Sequence, residues 1–531
     1  MVDGPDEHDG PDARRDVLAR YLTDPDGDVF ALTGLPEVVK GAVFARYSRS
    51  ASGVKDLLVD EFASDLATDG VAERADALYA KVFGDYGDDS VAQLGGAHVA
   101  LEGISNVATK RVEWGRLAAY LEQSTRYIAY DQRVGGRYRY HREASVMASR
   151  HAARYEEVLD HLFATYAQLL PPLTEWVRGR FPHDEGTSER AWRAATRAKA
   201  LDLLRGLLPA ATEANVGMFA SGQAYEALLL RLAADPLVEM RELGDRLLHE
   251  LRKVIPSFVA RVDRPDRGHV WRDYLAAIRD DTRALADRHV IGDPDPSVEP
   301  VTLIDWWPRD PVDAEVSLVV GTLLPHVTVS EEQLTAQVRT WPAEQRAEVL
   351  RAAVGERVNR RHRPGRAFER VVYRFDVLGD YGGFRDLQRH RMCTIDWQRL
   401  TTVHGYDTPP ELAEAGLDGP WHEAIGRARA LHDDLAVDLP EAAQYVVPFA
   451  FRLRYSVQLN ARAAMQMLEL RSTPQGHPQY RRIVQAMHRA IADVAGHTAV
   501  ADAMVHVDHG VGDLERLASE QALERRRAAR G

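Results

Sequence analysis

The chain has 531 residues, of which 45% are hydrophobic and 28% are charged, and its net charge at pH 7 is −13. This composition is typical of a soluble globular protein with more than one domain and excludes a chain that is disordered throughout. The acidic balance lacks the basic footprint of a nucleic-acid-binding protein, and no apolar run is long enough to predict a membrane-spanning helix. Cys393 is the single cysteine, which excludes an internal disulfide and a cysteine zinc site, so we expect a cytoplasmic protein.

Residues 1–15 are rich in Asp, Gly and Pro and are predicted to be disordered. From Ala31 to Phe258 the sequence predicts mainly helical structure, because apolar residues recur there at three- and four-residue spacing. This spacing is found over residues 58–83, 145–170 and 195–208, and a further apolar stretch runs over 216–251. Pro209 is expected to end the third of these helices.

The clearest break in the chain is Gly292–Pro300, where three prolines in nine residues favour an extended connection over a helix. We therefore predict an N-terminal part over residues 1–291, a linker over 292–300 and a C-terminal part over 301–531. The two parts are of similar size.

The C-terminal part begins with two short apolar or β-branched segments, Val301–Ile304 and Val316–Val320. Alternating apolar side chains predict a strand over 370–377. Helical spacing predicts helices over 447–467 and 480–494. The Arg- and Ala-rich residues 524–530 are expected to be the fraying end of a helix.

Gln123, Ser124, Thr125 and Arg126 form a compact set of hydrogen-bond donors in the N-terminal part. Two hydroxyls, an amide and a guanidinium over four residues suit a phosphate or another oxyanion. The same residues also suit a helix end, with Ser124 or Thr125 as the cap and Arg126 in solvent. The residues alone leave both interpretations open.

Arg389, His390 and Arg391 form a cationic triplet in the C-terminal part. Such a triplet can bind phosphate or stack on a planar ring. A second triplet at residues 361–363 has the same composition, as expected by chance in an arginine-rich chain. The triplet alone therefore does not identify a site.

Together, residues 114–127 and 389–402 resemble the signature of the flavin-dependent thymidylate synthases. That signature is Arg-His-Arg, seven residues and Ser, within a pattern that ends Asn-Glu-x-Ser-x-Arg-Tyr. The first segment keeps the end of the pattern, Glu122 to Tyr127, whereas its triplet has become Trp-Gly-Arg. The second segment keeps the triplet and has lost the end. The two segments look like repeats of one motif, each missing what the other retains.

Other positions are similar to the family in the same divided way. Arg205 precedes a Leu-Pro step in the first half, and this arginine is absent before Pro448 in the second. The second half alone has the family's Asn-x-Arg and Leu-x-Leu-Arg elements and its Phe-Glu segment. These elements contribute Glu369, Asn460, Arg462 and Arg471, with His477 nearby.

The resemblance implies an α+β fold of two repeats, each helix-rich around a modest antiparallel or mixed sheet. Family members are homotetramers with sites between subunits, so a two-repeat chain is expected to form a homodimer that acts as a pseudo-tetramer. The implied activity is methylation of dUMP to dTMP with FAD as cofactor and with methylenetetrahydrofolate and NADPH as co-substrates. Complementary loss of motifs implies one composite site per chain, with the other site degenerate.

The resemblance also implies a role for each retained residue. The substrate side comprises Glu122, Gln123, Ser124, Thr125, Arg126, Arg205, Asp386 and Arg389. The cofactor side comprises Glu369, Arg389, His390, Arg391, Asn460, Arg462 and His477. Arg471 is the candidate catalytic residue, because a guanidinium beside the uracil stabilises the ring deprotonated at N3.

Two departures from the family pattern bear on the substrate. Asp386 stands where the family has Gln, and Leu121 stands where it has Asn before Glu122. A different uridine nucleotide as substrate, or a non-catalytic protein that binds nucleotide or flavin, therefore remains an alternative. His506, Asp508 and His509 are typical of a solvated surface cluster, so we predict no metal site.

Overall fold

The computed structural model describes residues 11–48, 50–62, 91–185, 187–292, 294–295 and 298–512, together with residues 514, 517, 521, 525 and 526. These residues form two compact units. Unit 1 comprises the described residues up to Glu102, together with Gly115–Glu122 and Asn215–Ile291. Unit 2 comprises Gly103–Trp114, Gln123–Ala214 and the described residues from Gly292 onward. The two units are defined by which residues contact one another in space. The predicted linker at 292–300 instead separates two repeats of the sequence, and that domain division stays a prediction.

Nineteen α-helices and seven strands are found among the described residues. The helices are α1 (Pro11–Tyr21), α2 (Glu37–Tyr47), α3 (Val54–Leu57), α4 (Asn106–Val112), α5 (Ala144–Met147), α6 (Ala152–Arg180), α7 (Glu189–Leu204), α8 (Gly222–Ala233), α9 (Val238–Leu251), α10 (Gly268–His289), α11 (Pro311–Leu323), α12 (Glu331–Arg339), α13 (Ala343–Val354), α14 (Tyr381–Gln388), α15 (Pro410–Glu414), α16 (Asp418–Asp438), α17 (Ala461–Arg471), α18 (Pro478–Asp493) and α19 (Thr498–Asp502). The strands are β1 (Gly96–Ser105), β2 (Ala118–Glu122), β3 (Glu213–Ser221), β4 (Val301–Trp307), β5 (Val372–Asp380), β6 (Thr394–Trp397) and β7 (Arg452–Asn460).

The sheet of unit 1 has the strand order β1-β3-β2, and β2 pairs with β3 in antiparallel fashion. Buried Val216, Met218 and Ala220 alternate with exposed neighbours along β3. This two-residue period is that of a strand with one buried face. The helical interpretation of 216–251 is therefore wrong for 216–221, while α8 and α9 occupy most of the rest.

The sheet of unit 2 has the order β4-β5-β7-β6, with antiparallel pairs throughout. The helix predicted over 447–467 is wrong for its first part, because residues 452–460 form β7, a strand between two neighbours. Its alternate residues Leu453, Tyr455, Val457 and Leu459 are buried. The helix begins only after Asn460, whose side chain accepts a hydrogen bond from Ala463 N at 2.8 Å.

The two sheets repeat one topology, since β1-β3-β2 corresponds to β5-β7-β6. Strands β1 and β3 of the first repeat, like β5 and β7 of the second, run directly into a helix. The junction residue caps that helix by accepting a backbone N–H bond: Ser105 and Ser221 in the first repeat, Asp380 and Asn460 in the second. The predicted two-repeat α+β fold is confirmed.

Most other predicted elements are found near their predicted positions. The predictions over 145–170, 195–208, 301–304, 370–377 and 480–494 correspond to α6, α7, β4, β5 and α18. Residues 316–320 lie inside α11, and α1 includes residues 11–15, which were expected to be disordered. Residues 1–10, 63–83 and most of 524–530 lie outside the described residues. No helix in the described part of the chain is long and apolar enough to cross a membrane.

Within unit 2, the two Pro turns of the repeats pair with each other. Pro209 and Pro448 form an antiparallel bridge. Ala210 N donates to Val447 O at 2.9 Å, and Phe449 N donates to Leu208 O at 2.9 Å. Two further bonds, Ala211 N to Tyr445 O and Ala450 N to Gly206 O, extend this pairing. The segment that follows Arg205 is thereby held against the second repeat.

A substitution at Gly206 would test how tightly the junction between the Pro209 and Pro448 turns is packed. An added Cβ would lie 2.6 Å from the ring of Trp421, which is fully buried on α16. We expect Gly206→Ala to lower the free energy of unfolding by about 1–3 kcal/mol through overpacking. Gly426→Ala is the matched control on α16, since its Cβ meets nothing within 4 Å. It should stabilise the protein slightly through helix propensity. Urea unfolding of both variants measures the difference, and equal effects would contradict this packing.

Candidate functional site

Arg205 lies in a 3₁₀ turn directly after α7, and it is 3% exposed. Its Nη1 is 3.5 Å from a carboxylate oxygen of Asp386. Its Nε and Nη2 form the edge that binds carboxylates and phosphates in bidentate fashion, and neither has a hydrogen-bond partner among the described residues. A Cβ at Gly382 would lie 3.3 Å from Nη2, so glycine there leaves space beside the guanidinium. Because buried donors are normally satisfied, this edge suits an oxygen ligand.

Asp386 of α14 is the carboxylate around which the arginines of both halves converge. Its oxygens lie 3.4 Å from Arg389, 3.5 Å from Arg205 and 3.7 Å from Arg471. Burial alone would raise the pKa of Asp386, but the three guanidiniums hold it below its ordinary value. Asp386 is therefore an ionised group at the centre of the cluster.

Arg126 belongs to the same cluster and is held by a carboxylate that the sequence did not single out. Its Nε and Nη2 each donate to an oxygen of Asp202 at 2.6 Å. Nη2 also donates to Gln475 O at 3.0 Å, and Nη1 lies 3.5 Å from the hydroxyl of Tyr480. Asp202 lies three residues before Arg205, so one turn of chain places both beside the site.

His390 and Arg471 form a direct contact. Arg471 Nε donates to His390 Nε2 at 2.9 Å. This bond requires a lone pair on Nε2 and hence a neutral imidazole. Burial, together with the charge of Arg471, lowers the pKa of His390 to about 3. The second arginine of the triplet, Arg391, is exposed and makes no side-chain bond to the cluster within the described residues.

Two of the predicted cofactor-side residues, Glu369 and Arg462, form a separate group, and Asn460 lies at the start of the helix that carries Arg462. Arg462 donates to Pro364 O at 3.0 Å and lies 3.6 Å from Glu369. Asn460 caps α17, so its side-chain oxygen is already engaged. The structure thus brings Glu369 and Arg462 together at the start of α17.

The predicted donor segment is a turn rather than a helix end. Ser124 Oγ accepts from Arg126 N at 3.3 Å, and Tyr127 N donates to Ser124 O at 3.2 Å. Thr125 is buried, and Gln123 is half-buried. Glu122 is the last residue of β2 in unit 1. The turn places Arg126 where its guanidinium bonds to Asp202.

A cavity of about 440 Å³ in unit 2 opens beside this cluster. Arg126, Asp202 and His477 are among its lining residues. His477 caps α18, where its Nδ1 accepts from Gln479 N at 3.4 Å. Burial and the charge of Arg205 lower the pKa of His477 well below its ordinary value. A smaller cavity of about 30 Å³ is lined by Arg205 and also by Asp202 and His477.

Asp380 is a second buried carboxylate that sequence reasoning missed. It caps α14 by accepting from Gly383 N at 2.7 Å and lines the smaller cavity. Burial raises its pKa to about 7 despite the opposing charge of Arg205. The available signal was its place at the end of a predicted strand, where a carboxylate is a preferred helix cap.

No group of three or more His, Cys, Asp or Glu side chains in the described ranges is arranged to hold a metal ion. The cluster instead combines four guanidiniums (Arg126, Arg205, Arg389 and Arg471) with two carboxylates (Asp202 and Asp386). Within the described part of this cluster, guanidiniums outnumber carboxylates, so the arrangement suits an anionic ligand. Fold and site define a two-repeat α+β protein with an arginine-rich anion site built from both repeats.

Comparison with known proteins identifies the family. The profile described as "Thymidylate synthase complementing protein" matches residues 37–257 and 323–496. A UPF0159 protein of Chlamydia pneumoniae is 38% identical over 96% of this chain and 97% of its own. A UPF0159 protein of Thermoplasma acidophilum is 30% identical over 91% of this chain and 97% of its own. The chain belongs to the thymidylate synthase complementing family, which is flavin-dependent.

The raised pKa of Asp380 predicts a pH-dependent stability. Because its folded pKa of about 7 exceeds the ordinary value of 3.8, the folded state binds this proton more tightly. The contribution of protonated Asp380 to the free energy of unfolding is therefore complete below pH 3.8 and is lost as the pH rises through 7. Asp380→Asn keeps the cap oxygen and removes the charge. Its stability gain over wild type should grow by about 2 kcal/mol between pH 5.5 and pH 8.

Denaturant unfolding at both pH values measures this gain. Asp396→Asn, which alters an exposed carboxylate on β6, is the control. A gain for Asp380→Asn that is the same at both pH values would contradict the shifted pKa.

Proposed function

We propose that this protein methylates dUMP to dTMP with FAD, methylenetetrahydrofolate and NADPH, at one composite site per chain. We also propose that two chains assemble as a homodimer equivalent to a four-repeat assembly. The observation that carries the proposal is the convergence of Arg126 and Arg205 from the first repeat with Arg389 and Arg471 from the second around Asp386. Membership of the thymidylate synthase complementing family supports the same activity.

The 5′-phosphate of the nucleotide is assigned to Arg205 and Arg126. Arg205 offers a buried bidentate edge without a partner among the described residues, and Gly382 leaves space beside it. Arg126 is committed to Asp202, which holds its guanidinium in one orientation before a ligand arrives. Such preorganisation reduces the entropy lost on binding. The Gln123–Thr125 turn is assigned to the same side.

The pyrimidine is assigned to the neighbourhood of Arg471. A guanidinium there stabilises negative charge on the uracil and so promotes attack from C5. His390 is neutral and accepts from Arg471 Nε, which holds that guanidinium in place without adding a competing positive charge. His390 is thus a positioning residue for Arg471 in addition to its proposed place beside the cofactor.

The donor set fits a flavin with phosphate groups. Arg391 is exposed and makes no side-chain bond to the cluster within the described residues, and Arg462 belongs to the same donor set, so the set includes cations that suit the phosphate groups of FAD. Arg389, His390, Arg391, Asn460, Arg462, His477 and Glu369 are the residues proposed to hold FAD. When bound, reduced flavin supplies the methylene transfer and the hydride, while the protein residues orient and polarise the substrates.

Asp386 favours a second candidate, methylation of a different uridine nucleotide. The family has an uncharged glutamine at this position, whereas Asp386 is ionised among three arginines. A carboxylate accepts hydrogen bonds and cannot donate them, so it selects ligands with a donor at that point. Comparing dUMP and UMP as substrates, in wild type and Asp386→Gln, separates the two candidates.

If the site is composite, turnover of dUMP should depend equally on residues from both repeats. Arg126→Ala and Arg389→Ala should each lower turnover of dUMP by about 100-fold or more, because each removes a charge-assisted contact to a ligand. Arg361→Ala, in the exposed second triplet, is the matched control and should retain wild-type turnover. The assay is formation of dTMP by purified protein with FAD, folate co-substrate and NADPH, followed by mass spectrometry.

Two results would contradict the proposal. Activity that survives Arg126→Ala but not Arg389→Ala would place the site in the second repeat alone. Folded wild-type protein that forms no methylated product from dUMP or UMP would indicate a non-catalytic nucleotide- or flavin-binding protein.

A further inference from the structure

Tyr480 lies within the arginine cluster of unit 2 but belongs to none of the motifs that point to the site. It is the third residue of α18, directly after the His477 cap, and its exposed fraction is 4%. A tyrosine ring is readily buried, whereas its hydroxyl normally needs a hydrogen-bond partner there. The surroundings of the ring and of the hydroxyl therefore decide whether Tyr480 has a role beyond packing.

The ring of Tyr480 is held by close contacts from two elements. A Cβ added at Gly476 would lie 2.8 Å from Tyr480 Cε2, so this glycine leaves the room that the ring occupies. A Cβ at Gly383 of α14 would lie 3.7 Å from Tyr480 Cβ, which places the side chain against the helix that carries Asp386. The ring therefore has a defined position before any ligand binds.

The hydroxyl of Tyr480 is bonded through its oxygen. The oxygen accepts from Arg126 Nη1 at 3.5 Å, and two bonds to Asp202 hold that arginine in place. A phenol hydroxyl both accepts and donates, yet its proton has no acceptor in the part of the chain that the structure describes. The nearby guanidinium polarises the O–H group and makes it a stronger donor. The hydroxyl therefore offers a hydrogen bond to an oxygen ligand beside Arg126.

The ring of Tyr480 also supports Arg471. The guanidinium carbon lies 5.6 Å from the ring centroid, within the distance of about 6 Å at which a cation–π contact is favourable. Such a contact needs no N–H bond, so it adds to the bond that Arg471 Nε donates to His390. With one side chain, Tyr480 thus contacts Arg126 from the first repeat and Arg471 from the second.

We propose that Tyr480 is a further nucleotide-binding residue, whose hydroxyl donates to the 5′-phosphate and whose ring positions Arg471 beside the pyrimidine. This role rests on the proposed function, in which Arg126 lies at the phosphate and Arg471 at the uracil. The hydroxyl then favours a nucleoside monophosphate over the free nucleoside. The ring connects the two ends of the nucleotide, because the same rigid side chain contacts both arginines.

The test separates the hydroxyl from the ring in full-length protein reconstituted with FAD. Tyr480→Phe removes the hydroxyl alone and should weaken binding of dUMP by about tenfold or more, because a donor to a charged group is lost. Binding of deoxyuridine, which lacks the phosphate, and kcat at saturating dUMP should stay within about twofold of wild type. Isothermal titration calorimetry measures both affinities, and formation of dTMP measures kcat.

Tyr480→Leu removes the ring as well. It should also lower kcat by about tenfold, since Arg471 loses its cation–π contact. Tyr166→Phe, which removes the hydroxyl of a fully buried tyrosine of α6 outside the cluster, is the matched control and should behave as wild type. Tyr480→Phe is the smaller change and keeps the test valid if Tyr480→Leu fails to fold.

Three results would overturn this role of Tyr480. An active wild type whose affinity for dUMP is unchanged in Tyr480→Phe would overturn it and leave the proposed methylation intact. Equal weakening of dUMP and deoxyuridine by Tyr480→Phe would reduce Tyr480 to a packing residue. Folded wild-type protein that binds no dUMP would overturn this role together with the proposed function.

Discussion

The candidate site depends on the backbone pairing between the Pro209 and Pro448 turns. These turns occupy equivalent places in the two repeats and exchange hydrogen bonds across an antiparallel bridge. Phe449 O then accepts from Gly382 N at 3.1 Å, which ties the start of α14 to the same junction. Arg205 consequently lies against α14, the helix that carries Asp386 and leads into the triplet. Backbone hydrogen bonds therefore hold the two repeats together at this junction.

The electrostatics of the cluster follow from this placement. Asp386 compensates Arg205, Arg389 and Arg471, while Asp202 compensates Arg126 through two short bonds. Burying charges is costly unless they are paired, and the described residues of the cluster comprise four guanidiniums and two carboxylates. The neutral His390 limits the excess, because it accepts from Arg471 without adding charge. The remaining positive potential is what an anionic substrate would relieve.

The sequence predicted the fold class, because motif order and spacing persist in each repeat. The arginines that these motifs single out lie close together in the structure, and their roles stay a prediction. Prediction from the sequence failed where the spacing of apolar residues and the length of the segment fit both a strand and a helix. Residues 447–467 contain one of each, and the strand gives way to the helix at the Asn460 cap. Sequence reasoning also missed Asp202 and Asp380. Neither belongs to a motif, and their importance arises from tertiary neighbours, Arg126 for the first and buried surroundings with Arg205 for the second.

Visible absorption of the purified protein reconstituted with FAD, recorded with and without dUMP, tests the central claim most directly. A composite site predicts that flavin binds, that dUMP changes its spectrum, and that Arg205→Ala removes the response to dUMP while flavin remains bound. That variant matters because Arg205 comes from the first repeat and the proposed flavin residues come from the second. A protein that binds no flavin, or a dUMP response that is unchanged in Arg205→Ala, would contradict a site shared by the two repeats.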